Sequence, residues 1–145
     1  MAKNRFSLLG VPIDPLTIND VLDKIKLYIS STPRFVHIVS VNPENIVIAN
    51  QNQQFMQICK SADLALTDGI GVFIASHIMG KSIPERVSGS VLLPQLLDLA
   101  GAMSSTVVLI GSQANLADSI AKCYSRSYPK ATFIGTNGYR NSLSP

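Results

Sequence analysis

Along this chain, apolar runs too short for helices alternate with longer stretches whose apolar residues recur at helical spacing. Phe6 to Ile13 reads as one or two short strands broken at Gly10-Val11-Pro12. Thr17 then opens a helix carrying Val21, Leu22, Ile25, Tyr28 and Ile29 on one face, closed off by Pro33. Phe35 to Val41 is β-branched and nearly continuously apolar, the pattern of a central strand covered on both faces. In Asn42-Pro43-Glu44 a capping side chain, a proline suited to the first helical position and an acid suited to the positive end of the dipole predict a helix to about Lys60. A strand at Leu64 to Leu66, a short helix to Met79 and a polar loop from Gly80 to Gly89 come next. Then follow a helix from Ser90 to Ala100 with Pro94 in its first turn, a strand at Thr106 to Ile110, a helix from Gly111-Ser112 to about Ser127, and a strand at Ala131 to Ile134. Alternation of this kind predicts an α/β, Rossmann-like fold, with a mainly parallel sheet and helices on both faces, in a single domain over 1–145.

With 46% hydrophobic and 14% charged residues the chain is not disordered, and its sparse charge leaves surfaces that call for a partner or a membrane. The longest uncharged run, Leu99 to Ala117, contains Gly101, Ser104, Ser105, Gly111, Gln113 and Asn115 and is too polar to span a bilayer. The apolar stretch after Lys3 and Arg5 is too short for a signal peptide, so a cytoplasmic location is expected. Cys59 and Cys123 fall in helical patterns without metal-type spacing and read as reduced thiols. The net charge of +3 is uneven: Lys122, Arg126, Lys130 and Arg140 follow Asp118 with no further acid. That basic end would meet phosphates or an anionic membrane, or form a solvated helix face.

Chemistry concentrates where strands end. Asp68 closes the run Leu64-Ala65-Leu66-Thr67 and stands before Gly69 and Gly71. There an acid can face a ligand at the carboxyl edge of a parallel sheet while glycines let the backbone approach it, or it can simply cap the next helix. Ser40 and Asn42, at the end of the preceding strand, offer a hydroxyl and an amide suited either to a sugar or nucleotide or to capping. Arg86, in the ten-residue loop, can clamp a diphosphate or pair with Glu85 or another neighbouring carboxylate. The helix near Ser112 offers backbone N–H groups to an anion. His37 reads as a packed strand histidine and His77 as a helix residue; no metal pair and no Asp-x-Asp clamp is present, and no cofactor is called for.

Taken together, Ser40-Val41-Asn42-Pro43-Glu44, Leu66-Thr67-Asp68-Gly69-Ile70-Gly71, Pro84-Glu85-Arg86-Val87-Ser88-Gly89, Leu109-Ile110-Gly111 and Gly135-Thr136-Asn137-Gly138-Tyr139 resemble the WecG/TagA/CpsF glycosyltransferases in order and spacing. The resemblance implies transfer of N-acetylmannosamine or a related sugar from a UDP-sugar to a polyprenyl-diphosphate-linked sugar, in the building of teichoic acid or other bacterial surface polysaccharide. It implies Asp68 as the general base and Ser40, where the family usually has Thr, with Asn42 in the sugar pocket. Gly69, Gly71, Gly111 and Tyr139 would complete the substrate site, and Arg86 would face the departing UDP.

The sequence departs from the family at Val91, which stands where an acid usually does, and at Arg140, in place of a Phe. It reaches Pro145 without the family's Gly-x-Pro-Lys-Gln-Glu-type motif and basic, membrane-approaching tail. The expectation is an amino-terminal portion of such an enzyme, weak or inactive alone. Its family would work at the inner face of the plasma membrane, and an unpaired sheet edge would favour homo-oligomers. No nucleic-acid partner is expected. The rival reading is a non-catalytic nucleotide-sugar or phosphate-binding module; a dinucleotide oxidoreductase is disfavoured by the missing glycine fingerprint.

Overall fold

A computed structural model describes residues 5–31, 34–111, 115–136 and 138, and the chain divides into two compact units at Leu93 and Pro94. In the first unit, β1 (Phe6–Leu8) and β2 (Val11–Ile13) form an antiparallel hairpin that turns at Leu9 and Gly10, both at positive φ. The chain then passes beside the strand at 64–67, where the Asp14 N–H donates to the Ala65 carbonyl at 2.9 Å. Helix α1 (Ile18–Ser30) starts at Thr17 with a reciprocal capping box to Asp20, satisfying backbone donors that would otherwise be stranded.

The next three helices and two strands carry the site. β3 (Ile38–Val41) leads through α2 (Pro43–Gln51) and α3 (Gln53–Ser61) to β4 (Leu64–Thr67), followed by α4 (Ile70–Ile78). The two strands pair in parallel, Ile38 opposite Leu64 and Val41 opposite Thr67. Beneath them Val11, Ile13, Val41, Ile46, Cys59, Ala65, Val72 and Ile83 form the buried core. Burial pushes the Cys59 thiol up, which keeps it protonated, whereas Cys123 is exposed.

Three expectations change. The strand expected from Phe35 begins only at Ile38; Phe35 is 85% exposed and Ser40 faces solvent, so β3 is not covered on both faces. Its length matches its four-residue partner, before which Asp63 meets His37 by donating its N–H to the His37 carbonyl at 2.8 Å and by accepting the His37 N–H on its carboxylate. The helix expected from Asn42 to Lys60 is interrupted at Asn52, which ends α2 and caps α3 by accepting from the Phe55 N–H at 3.0 Å. Finally, α5 (Gly89–Ala102) holds Pro94 inside the helix rather than in its first turn, and the boundary between the units falls there.

The amino ends of β3 and β4 are fastened by ion pairs. Arg5 donates to both oxygens of Asp14 at 2.9 and 2.7 Å and to the carbonyls of Ala62 and Asp63, while the Ala65 N–H donates to Asp14 at 2.7 Å. Asp63 accepts from the His37 N–H at 2.9 Å and from Arg34 at 2.8 Å. These two donors hold its carboxyl below the usual range.

The second unit repeats the motif with one crossover helix: β5 (Thr106–Ile110), α6 (Leu116–Ser127) and β6 (Thr132–Thr136), with the strands parallel from Thr106 opposite Thr132 to Ile110 opposite Thr136. Gly135 is required there, since a Cβ would lie 2.3 Å from the Ala117 backbone of α6. The rings of Tyr124, Tyr128 and Phe133 pack together. Lys122 pairs with Asp118 across one helical turn at 2.6 Å, both exposed, as on a solvated helix face. Both units are thus built from parallel strands joined by helical crossovers, the unit of a Rossmann-like α/β fold. Among the described residues no helix is long and apolar enough to cross a membrane.

Candidate active site

The carboxyl ends of β3 and β4 bring Ser40, Asn42, Asp68, Gly69 and Gly71 together. Parallel pairing continues one residue past β4, where the Asp68 N–H donates to the Val41 carbonyl at 2.9 Å. This holds the acid level with the end of β3. The Ser40 hydroxyl donates to Asp68 Oδ2 at 2.9 Å. Asp68 does not cap the helix that follows. Gly69 occupies that position at φ +87°, where an L side chain is strained, and α4 starts with no side-chain cap.

Asn42 caps α2, accepting from the Asn45 N–H at 2.7 Å, which commits its carbonyl oxygen and leaves its amide hydrogens outside the cap. Asn45, which the sequence did not single out, donates its side-chain amide to the Ser40 carbonyl at 2.8 Å and so fixes the serine that meets Asp68. Its signal was its place three residues after the cap. Gly71 packs on the same turn: a Cβ there would fall 2.9 Å from Pro43 Cγ. The small residue therefore serves helix packing beside the acid. Thr67, 2% exposed, keeps a buried hydroxyl without a partner among the described residues, a cost of about 1–3 kcal/mol next to Asp68.

The Arg86 loop is pinned on both sides of the arginine. The Val87 N–H donates to the Thr67 carbonyl at 2.9 Å, and Glu85 accepts from the Ile18 N–H at the start of α1 at 2.9 Å. Val87 and Ile83 are buried, while Arg86 is exposed and makes no hydrogen bond or ion pair among the described residues. Pairing between Arg86 and Glu85 is thereby corrected: Glu85 is engaged by the helix end. Its role could not be read from sequence, because the contact spans 67 positions.

In the second unit Gly111 ends β5 at φ +128°; its N–H donates to the Thr136 carbonyl at 3.2 Å and its Cα lies 3.0 Å from where a Cβ on Gly138 would stand. Gly138 thus accommodates a close backbone approach, whereas Gly111, where a Cβ would meet nothing, is favoured by its positive φ. Ser112 and Tyr139 lie outside the described residues. His77 Nδ1 lies 2.8 Å from the Phe73 carbonyl within α4, and no group of three or more His, Cys, Asp or Glu side chains gathers as a metal site among the described residues.

The chemistry available here is that of a carboxylate held by one hydroxyl, near the strand end that also anchors an exposed guanidinium. Fold and site define a Rossmann-like α/β protein with its polar groups at the carboxyl ends of parallel strands. The chain belongs to the WecG/TagA/CpsF family of glycosyl transferases, whose model matches residues 6–142. It is 26% identical over 136 residues to the N-acetylglucosaminyldiphosphoundecaprenol N-acetyl-beta-D-mannosaminyltransferases of Staphylococcus aureus strains NCTC 8325 / PS 47 and COL. The match covers 93% of this chain and 54% of each relative, so the chain spans about half the length of the relatives it matches.

Proposed function

We propose that these residues form the acceptor-activating part of an inverting glycosyltransferase that moves N-acetylmannosamine, or a related sugar, from UDP to a polyprenyl-diphosphate-linked sugar. In that reaction the acceptor hydroxyl oxygen attacks the anomeric carbon, Asp68 takes the hydroxyl proton, and the bond to UDP breaks with its electron pair leaving on the diphosphate. Ser40 orients the Asp68 carboxylate, leaving its second oxygen for the acceptor. Arg86 stabilises charge on the departing diphosphate. The amide of Asn42 and the backbone at Gly69 and Gly71 supply further substrate contacts. The protein works at the inner face of the plasma membrane, where such an acceptor resides.

The observation that carries this reading is the Ser40–Asp68 hydrogen bond at 2.9 Å, with Asp68 released from helix capping by Gly69. The test is transfer from UDP-N-acetylmannosamine to an N-acetylglucosaminyl diphosphate lipid, compared between the unaltered protein and Asp68→Asn, with UDP binding measured alongside. Transfer that collapses while UDP binding persists supports the reading. Equal transfer by both forms removes Asp68 from the chemistry, and UDP binding without transfer in either form favours a non-catalytic nucleotide-sugar module.

A further inference from the structure

The surface beside the Asp68 site is unusually apolar. Ile70, Ile74 and Ile78, one helical turn apart on α4, are 58%, 51% and 81% exposed, and no Asp, Glu, Lys or Arg occurs from Gly69 to Gly80. Next to this stripe a cavity of about 240 Å³ is lined by Leu8, Leu9, Pro43, Val47, Gly71 and Ala75, among other apolar groups. Leu9 and Val47 are themselves exposed. Contiguous exposed apolar surface of this kind marks a contact with something outside the chain.

We propose that this groove holds the first prenyl units of the lipid-linked acceptor, an inference that rests on the acceptor class put forward above. Continuity with the site carries it: α4 begins two residues after Asp68, and Gly71, packed on Pro43, belongs to both the acid's turn and the groove wall. A lipid whose sugar hydroxyl meets Asp68 must lead its hydrocarbon away over adjoining surface. The uncharged lining suits that hydrocarbon and not a diphosphate. The volume equals the room of roughly eight waters, enough for a short length of chain and too little for a helix. The stripe extends the path by about 13 Å, the length of nine helical residues.

The probes are farnesyl diphosphate and inorganic pyrophosphate, titrated calorimetrically into the full chain. Farnesyl diphosphate should bind at least about tenfold tighter, and Leu9→Asn with Val47→Gln should reduce that preference to about twofold by removing apolar contact. Equal binding of the probes, or a preference that survives the double variant, overturns the proposal. So does loss of self-association in the variant with the preference unchanged, which would assign the face to a second copy. Should the variant not fold, a photoreactive prenyl diphosphate on the unaltered protein should label peptides containing Leu9, Val47 or Ala75, and labelling elsewhere overturns it. Asp68→Asn should keep the prenyl preference. Full transfer by Asp68→Asn with the preference intact would sink the base and leave the groove standing, whereas loss of transfer in Asp68→Asn with no prenyl preference would sink the groove alone.

Discussion

The two ends of the β3–β4 pair treat their acids in opposite ways. At the amino end, Asp14 and Asp63 each accept a backbone N–H and pair with an arginine, and the Asp14 side chain is only 12% exposed. At the carboxyl end, Asp68 accepts from the Ser40 hydroxyl, while Arg86 stands exposed and unpaired among the described residues. Acids that hold a fold together are saturated with strong donors. On the function proposed above, an acid that takes a proton keeps an oxygen open to it.

The sharpest way to break this contrast is to exchange the acids for amides one at a time. Asp68→Asn should lower sugar transfer by about two to four orders of magnitude, the usual worth of a general base, while Asp63→Asn should change it by less than about threefold. Steady-state transfer assays decide, and a comparable fall in both variants would erase the distinction.

Stability should reverse the ranking. Asp14→Ala strands the Ala65 N–H and the Arg5 guanidinium, so urea unfolding should show a loss of about 2–4 kcal/mol. Asp68→Ala, losing one serine contact, should cost less than about 1 kcal/mol.

A smaller effect is expected at Arg86. Arg86→Ala should weaken UDP or pyrophosphate binding by about tenfold in calorimetry, the worth of one charge-assisted contact, and leave the melting temperature unchanged. Unaltered binding of both would make Arg86 a bystander.

The smallest effect concerns acid. The Asp63 carboxyl is held down first by the His37 N–H and then by Arg34, so its stabilisation is fully present above its ordinary value of 3.8 and disappears as pH falls through its lowered folded value. The melting difference between unaltered protein and Asp63→Asn should therefore narrow below about pH 4. A difference constant down to pH 2 would remove Asp63 from the acid response.

The same contrast explains what the sequence made legible. The Asn42 cap, Pro43 at the helix start and the acid after a short apolar run are local signals, settled within three or four residues, and each appears where its chemistry puts it. The true start of β3 was not legible, because β propensity at Phe35 and Val36 says nothing about whether a partner strand reaches that far. The break at Asn52 hid inside a continuous helical pattern, since asparagine can end one helix and cap another. Arg5 with Asp14, and Glu85 with Ile18, join residues whose neighbourhood exists only after folding.

That last contact ties the Arg86 loop to a distant part of the chain. Fastening Glu85 to the start of α1 closes a loop of 67 positions, and the chain entropy surrendered in such a closure is offset by the packing of everything between. The guanidinium next to Glu85 is thus held from two sides, by that distant contact and by the nearer one of Val87 to Thr67. Loosening the first turn of α1 would therefore reach the Arg86 loop, although α1 itself supplies none of the polar groups around Asp68.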